Sequence, residues 1–191
     1  MSVSSIKVFM HEGEDLVGPW LEECHALLER KLLLLGGQSV ERLQRVEMIP
    51  GIVQYDEDTE QLLTEGGIMT AKPMAYPGTP NECHVNSCRL FLRSGGQLKL
   101  CTGYALERKS NEWIRHSWCL TTPRNGKRRI IETIPFVRWE SYYGITCDTT
   151  VAVRKACMEL DALEVRWLCR RYPEAAKLVS RMVRSMQERR E

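Results

Sequence analysis

One cysteine lies where the sequence predicts that a helix begins. Cys83 follows Thr79, Pro80, Asn81 and Glu82. Thr79 suits an N-cap, Pro80 suits the first helical position, and Glu82 falls three residues after the cap. Cys83 is therefore predicted in the first turn, where unpaired N–H groups and the helix dipole favour a thiolate over a thiol. This placement indicates a nucleophilic cysteine.

A base and a group that orients it lie further along the chain. A thiol nucleophile needs a base within hydrogen-bond reach and a partner that holds the base. His116 lies on a predicted strand, on the same face as Trp118 and Leu120. Glu132 is the acid of the next predicted strand, and isoleucines flank it, so its carboxylate needs a partner if it is buried. The predicted catalytic residues are Cys83, His116 and Glu132.

The strand register decides whether Glu132 faces His116. Asn125-Gly126 is a strong hairpin signal between the two strands. A symmetric two-residue turn places Glu132 opposite Cys119, on the face away from His116. A shift of one residue places Glu132 opposite Trp118, one diagonal step from the imidazole. The catalytic hypothesis therefore requires the shifted register.

The order of these motifs resembles the transglutaminase-like branch of the papain-like cysteine enzymes. Cys83 on a helix is followed by Gly103-Tyr104-Ala105, by His116-Ser117-Trp118 and by an acid on the next strand. In that branch the order is Cys, a Gly-Tyr strand, His followed by an aromatic residue, and Asp. The resemblance covers about residues 79–144. It implies a papain-like or transglutaminase-like core that acts on an amide or isopeptide bond, by hydrolysis or by acyl transfer.

Two departures from that branch concern the third catalytic residue and the oxyanion site. Glu132 stands where the family has Asp or Asn, and His84-Val85-Asn86 follows Cys83 where an aromatic is common. His84 is predicted to point about 100° around the helix from Cys83, so His116 is the preferred base. The backbone N–H of Cys83 is one expected oxyanion donor. The other predicted oxyanion and substrate-binding residues are Asn81, Asn86, Tyr104 and Trp118.

The elements around these residues predict an α+β fold in which a buried helix packs on an antiparallel β-meander, with flanking N- and C-terminal helices. Residues 1–148 are predicted to form the α+β domain, and residues 149–191 a helical extension packed on it as one structural unit. The predicted helices are 15–35, a short one from residue 39, 80–94, 149–172 and one after Pro173; the predicted strands are 97–106, 113–121 and 129–134, and 50–80 is a long connecting segment.

Composition narrows the class of protein. The chain has 191 residues, a net charge of +2 and eight cysteines, with no C-x-x-C pair, so neither a zinc site nor another metal or cofactor is expected. We expect free thiols in a cytoplasmic protein, because no secretory signal opens the chain. The apolar run Leu32–Leu35 is too short for a membrane span. The expected partners are a protein or peptide substrate and a protein bound by the C-terminal helices; nucleic acid is not expected.

Each of the proposed catalytic residues also has a structural interpretation that does not involve catalysis. Buried cysteines usually behave as small hydrophobic residues, and His116 on an aromatic strand suits a core histidine. Glu132 could instead pair with Arg115 or Arg129. The alternative function is a non-catalytic protein that binds protein or nucleic acid on the same scaffold. The cysteines predicted to be core are Cys88, Cys101, Cys119, Cys157 and Cys169.

Overall fold

The computed structural model describes residues 17–41, 57–121, 128–134 and 136–188. Six helices and seven strands occur in these ranges. The helices are α1 Val17–Leu34, α2 Glu57–Glu65, α3 Cys83–Arg93, α4 Thr149–Glu159, α5 Ala162–Arg171 and α6 Pro173–Glu188. The strands are β1 Ser39–Val40, β2 Gly67–Met69, β3 Lys72–Ala75, β4 Leu98–Glu107, β5 Glu112–Thr121, β6 Arg129–Glu132 and β7 Trp139–Thr146. The α+β class is confirmed.

The strands form one mixed sheet in the order β2-β7-β4-β5-β6-β3, with β1 added beside β5. The predicted antiparallel meander is present as β4, β5 and β6. Two parallel pairings, β3 with β6 and β1 with β5, were not predicted. The prediction of a purely antiparallel sheet was wrong because both parallel partners are very short strands, which carry too few residues to show an alternating pattern.

The helices cover one face of the sheet. Because strand side chains alternate between faces, each long strand serves two apolar clusters. Helices α1 and α2 pack on Tyr104, Trp113 and Tyr143. Helices α3 to α6 pack together, against Leu100, Cys119 and Ile131. The other face buries Cys101, Ala105, Trp118, Leu120, Ile130 and Tyr142.

Helix α3 begins at Cys83, three residues later than predicted. Asn81 has a left-handed backbone with φ 62, so Pro80 and Asn81 form a turn. Glu82 is the N-cap residue, and no side chain caps the helix. The prediction of Thr79 as N-cap was therefore wrong, but Cys83 is still in the first turn, as its first helical residue.

Three other predicted elements need correction, and one strand was not predicted at all. Residues 50–80 are not only a connecting segment, since α2, β2 and β3 lie there; every residue of β3 is exposed, so no burial alternation marks it. Residues 39–40 form β1 rather than a helix, and residues 42–56 lie outside the described residues. The predicted helix 149–172 is two helices, because the Asp161 side chain caps α5 by accepting from the N–H of Glu164. Strand β7 was missed.

The C-terminal helices pack in the same apolar cluster as α3. From the C-terminal part of the chain this cluster includes Leu160, Leu168, Ala175 and Leu178. The division of the chain at residue 148 stays a prediction. No helix in the described ranges has both the length and the apolar character that crossing a membrane requires.

Candidate functional site

Helix α3 begins beside an open stretch of the β5 edge. On that edge β1 pairs with Glu112 and Trp113, and β6 pairs with Cys119 and Leu120. The first turns of α3 lie between these two short ladders. There the Ser87 hydroxyl donates a hydrogen bond of 2.9 Å to the backbone carbonyl of Ser117. The edge of the sheet therefore sets the position of the helix that carries Cys83.

The loop before α3 is tied to the strand of the predicted acid. The N–H of Tyr76 donates to the carbonyl of Glu132 at 2.7 Å, and the N–H of Gly78 donates to the carbonyl of Thr133 at 3.1 Å. The Asn86 amide binds both backbone groups of Thr79, donating at 2.7 Å and accepting at 3.1 Å. These bonds hold the start of α3 against β6.

Asn86 therefore serves the loop rather than an oxyanion. Both ends of its amide bind Thr79, and a Cβ on Gly78 would stand 2.5 Å from the Asn86 side chain. Asn81 is exposed in the turn two residues before Cys83. The backbone N–H of Cys83, at the first helical position, has no carbonyl one turn earlier in the helix to bind. It remains a candidate oxyanion donor.

The register between β5 and β6 is the shifted one that the catalytic hypothesis requires. Cys119 pairs with Ile131 and Leu120 pairs with Ile130, which sets Glu132 across from Trp118. Nε2 of His116 lies 2.9 Å from Oε2 of Glu132, and both side chains are buried. The predicted contact between the imidazole and the carboxylate is confirmed.

Two further donors satisfy the buried carboxylate of Glu132. The Tyr142 hydroxyl donates to Oε2 at 2.9 Å, and the N–H of Ile134 donates to Oε1 at 2.7 Å. Burial, and then the nearby carboxylate, raise the pKa of Tyr142, so the phenol keeps its proton and stays a donor. Strand β7 was not predicted, so the contact of Tyr142 with Glu132 was not expected from the sequence.

Cys83 and His116 shift each other's ionisation in opposite directions. Burial disfavours the thiolate, but hydrogen bonds with His116 and His84 outweigh it and lower the pKa of Cys83 to about 5. Burial also disfavours the imidazolium, but hydrogen bonds with Cys83 and Glu132 raise the pKa of His116 to about 9. Between those pH values the pair is a thiolate and an imidazolium.

The other seven cysteines, all within the described ranges, behave as apolar side chains. Burial raises the pKa of every one of them. The pKa rises to about 12 for Cys101 and to about 11 for Cys147. Cys88, Cys101 and Cys119 are buried as predicted, while Cys157 and Cys169 are only partly buried. Cys83 is the one thiol of the eight in an environment that favours ionisation.

Aromatic rings enclose the imidazole. The Trp139 ring centroid lies 4.5 Å from that of His116, and the Trp118 ring stacks at 6.0 Å. Trp118 was predicted to bind substrate. Its side chain is instead fully buried and packs behind the imidazole. Glycine makes room for it, because a Cβ on Gly144 would stand 2.7 Å from the Trp118 ring.

Tyr104, predicted at the substrate site, lies on the opposite face of the sheet. Gly103, not Tyr104, pairs with His116 across the strands, so alternation sends the Tyr104 side chain towards α1 and α2. Gly103 is the residue that lies next to His116 across the two strands. Its φ is 156, and a Cβ there would stand 2.2 Å from the carbonyl oxygen of Tyr143.

Two cavities lie beside the neighbours of Cys83 and His116, and neither is lined by those two side chains themselves. A cleft of about 600 Å³ is lined by Glu132, Trp139 and Tyr142, with Arg108 and Arg138. A smaller polar cavity of about 210 Å³ lies on the helix-covered face and is lined by His84 and Ser117. In the described ranges no three His, Cys, Asp or Glu side chains are arranged to hold a metal ion.

Comparisons of the chain with protein families, with curated proteins and with solved structures found no match. The resemblance to the transglutaminase-like branch therefore stays an expectation from the sequence. The arrangement of Cys83, His116 and Glu132 is therefore the basis for a functional proposal.

Proposed function

We propose that the protein is a thiol enzyme that hydrolyses or transfers acyl groups through Cys83, His116 and Glu132. One observation carries the proposal. A single buried imidazole binds the carboxylate of Glu132 through Nε2, at 2.9 Å, and also hydrogen-bonds the thiol of Cys83. The papain-like or transglutaminase-like core and the peptide substrate implied by the resemblance belong to the same proposal.

The chemistry follows from the two ionised side chains. The Cys83 thiolate attacks the carbonyl carbon, a C–S bond forms, and the carbonyl π electrons move onto oxygen. When the tetrahedral intermediate collapses, the C–N bond breaks and the His116 imidazolium gives its proton to the leaving amine. Water or an amine then attacks the thioester, His116 takes a proton from it, and the C–S bond breaks to restore the thiolate.

The surroundings of the pair support this role over that of a core histidine. A buried histidine in a purely structural role can satisfy its two ring nitrogens with backbone or hydroxyl groups and needs no thiol. Here Glu132 is held by Tyr142 and Ile134 as well, so its carboxylate stays fixed while the imidazole loses and regains its proton. Trp139 covers the imidazole on the side of the large cleft, and a low-water environment strengthens the imidazolium–carboxylate interaction.

The test is formation of an acyl-enzyme on Cys83. p-Nitrophenyl acetate serves as the probe, because any thiol acyltransferase can release p-nitrophenolate from it and retain the acetyl group. We expect a burst of one p-nitrophenolate per chain and an acetyl mass on the peptide that contains Cys83. Added hydroxylamine or a primary alkylamine then shows whether an amine competes with water for the acyl group.

The matched control is Cys169→Ala, since Cys169 is more accessible than Cys83 but has a raised pKa. Cys83→Ala should abolish the burst, and Cys169→Ala should leave it unchanged. A wild-type chain that shows no burst, or a burst that survives Cys83→Ala, contradicts the proposal. That outcome would leave the binding-protein alternative on the same scaffold.

A further inference from the structure

A third cavity, of about 510 Å³, lies where the loop 76–80 meets one face of α3 and the end of β6. Pro77, Pro80 and Leu90 give it apolar surface. No carboxylate of the described residues lines it. The side chains with polar groups on its wall are Tyr76, Thr79, Asn86, Arg89, Arg93 and Thr133. The wall therefore combines two guanidinium groups with apolar surface, which suits an organic anion.

Four of these polar side chains already have partners within the protein or face solvent. Arg89 donates to both carboxylate oxygens of Glu164 and, at 3.3 Å, to the Asn86 side chain. Both ends of the Asn86 amide bind the Thr79 backbone. Tyr76 and Thr79 are exposed, so water can satisfy their hydroxyl groups. None of these four side chains needs a ligand to complete its hydrogen bonds.

Arg93 differs from Arg89 because its charge has no acidic partner. None of the ion pairs among the described residues includes Arg93, and its Nε is buried without a hydrogen-bond partner. The rings of Trp167 and Tyr172 hold the guanidinium, each with its centroid 6.0 Å away. The helix dipole accounts for a cation in the last turn of α3, but it leaves the buried Nε without an acceptor.

Thr133 is the second side chain on this wall that lacks a partner. It is only 1% exposed, and its hydroxyl makes no hydrogen bond. Its backbone carbonyl accepts from the N–H of Gly78, so the main chain is anchored to the loop. Buried hydroxyl groups in proteins nearly always have a partner. A ligand oxygen in the cavity would supply an acceptor for Thr133 and for Arg93.

We propose that this cavity binds an organic anion whose carboxylate or phosphate group accepts hydrogen bonds from Arg93 and Thr133. The body of the ligand lies against Pro77, Pro80 and Leu90. The volume of about 510 Å³ falls within the range of about 300–1,000 Å³ that is usual for small-molecule sites. Nε of Arg93 and the hydroxyl of Thr133 are shielded in this structure, so binding includes a rotation of both side chains towards the cavity. The inference goes beyond the proposed acyl transfer and does not depend on it.

Isothermal titration calorimetry with three probes that share one ring system tests the proposal. The probes are 1-naphthyl phosphate, 1-naphthoate and the uncharged 1-naphthamide. We expect at least one of the two anions to bind about 10-fold or more tightly than the amide, because hydrogen bonds to a charged group are stronger than those to a neutral one. The tighter of the two anions shows whether the site prefers a phosphate or a carboxylate.

Two variants and a control locate the binding site. Arg93→Gln should weaken the tighter anion by about 10- to 100-fold, through loss of a charged donor. Thr133→Val should weaken it by about 2- to 10-fold, and it should fold normally, because a methyl group replaces a hydroxyl without a partner. Arg181→Gln makes the same change of charge at an exposed position on α6, and its affinity should stay within about twofold of the wild type, since salt screens exposed charges.

The proposal is overturned if neither anion binds more tightly than the amide, or if Arg93→Gln keeps the wild-type affinity. If Arg93→Gln does not fold because the ring contacts are lost, Thr133→Val decides the question, and a wild-type affinity there overturns the proposal. None of these measurements involves turnover. A chain that shows no acetylation burst therefore refutes the acyl-transfer function and leaves this inference standing.

Discussion

Replacement of His116 by Gln should change the pH dependence of Cys83 alkylation. Gln keeps a neutral amide donor near the position of Nε2, where it can still bind Glu132, but it removes the imidazolium from the thiol. Burial, the largest influence on Cys83, then acts against the thiolate with only His84 to oppose it. We expect the pKa of Cys83 to return from about 5 to near the ordinary value of 9. That change corresponds to about 5 kcal/mol in the preference for the ionised form.

The magnitude at pH 6 follows from the thiolate fraction. With pKa values of about 5 and 9, the thiolate fraction falls from about 90% to about 0.1%, roughly 900-fold. A more basic thiolate is intrinsically more nucleophilic, by about 40- to 100-fold over four pKa units. Alkylation by iodoacetamide at pH 6 should therefore slow by only about 10- to 20-fold.

The ratio of rates at pH 9 and pH 6 is a sharper measure, because the access of iodoacetamide to the site cancels. For the wild type we expect a ratio of about 1, and for His116→Gln a ratio of several hundred. Mass spectrometry of the peptide containing Cys83 follows the reaction, and Cys169 in the same sample reports an ordinary thiol. His25→Asn is the control variant, since His25 binds Thr59, away from the site. A wild-type ratio of several hundred would refute the reasoning.

Three other predictions follow from the site. The acetylation rate should be flat between about pH 5 and pH 9, falling below as the Cys83 thiolate is protonated and above as the His116 imidazolium loses its proton; a single rising limb centred near pH 9 would contradict the ion pair. Glu132→Gln should slow acetylation by about 100- to 10,000-fold, because a neutral amide cannot stabilise the imidazolium, and a loss smaller than about threefold would remove Glu132 from the mechanism. Gly144→Ala should lower the free energy of unfolding by about 1–3 kcal/mol in urea titrations, because the added Cβ would stand 2.4 Å from the Thr102 carbonyl oxygen and 2.7 Å from the Trp118 indole. Gly67→Ala is its control, since nothing lies within 4 Å of the added Cβ, and equal stability of the two variants would show that the Thr102 backbone and the indole can both move.

Local sequence signals were sufficient for the elements that carry the three proposed catalytic residues. The helix start before Cys83 was recognised from its turn residues, although the cap itself is Glu82 and not Thr79. The strand of His116 was recognised from alternation. The isoleucines around Glu132 correctly indicated a buried carboxylate that needs a partner. Each of these signals involves only a few neighbouring residues, so the sequence alone is enough to recognise it.

The contacts that hold the site residues in place could not be predicted from such local sequence signals. Tyr142 and Trp139 come from β7, in which residues 142–145 are all buried, so no alternating pattern marks this strand. The commitment of Asn86 to Thr79 depends on a turn in which Asn81 adopts positive φ. Each of these contacts is made by a segment whose own sequence pattern is weak.

The sequence by itself determined which side chains could perform thiol chemistry, the order in which the elements present them, and the α+β class of the fold. Only the tertiary structure decided that β6 pairs with β5 in the shifted register, that Tyr104 faces away from the imidazole, and that His84 also reaches the sulfur. A shift of one residue reverses every side chain of a strand. The packing of the whole sheet against its helices selects among such registers, and no local pattern contains that information.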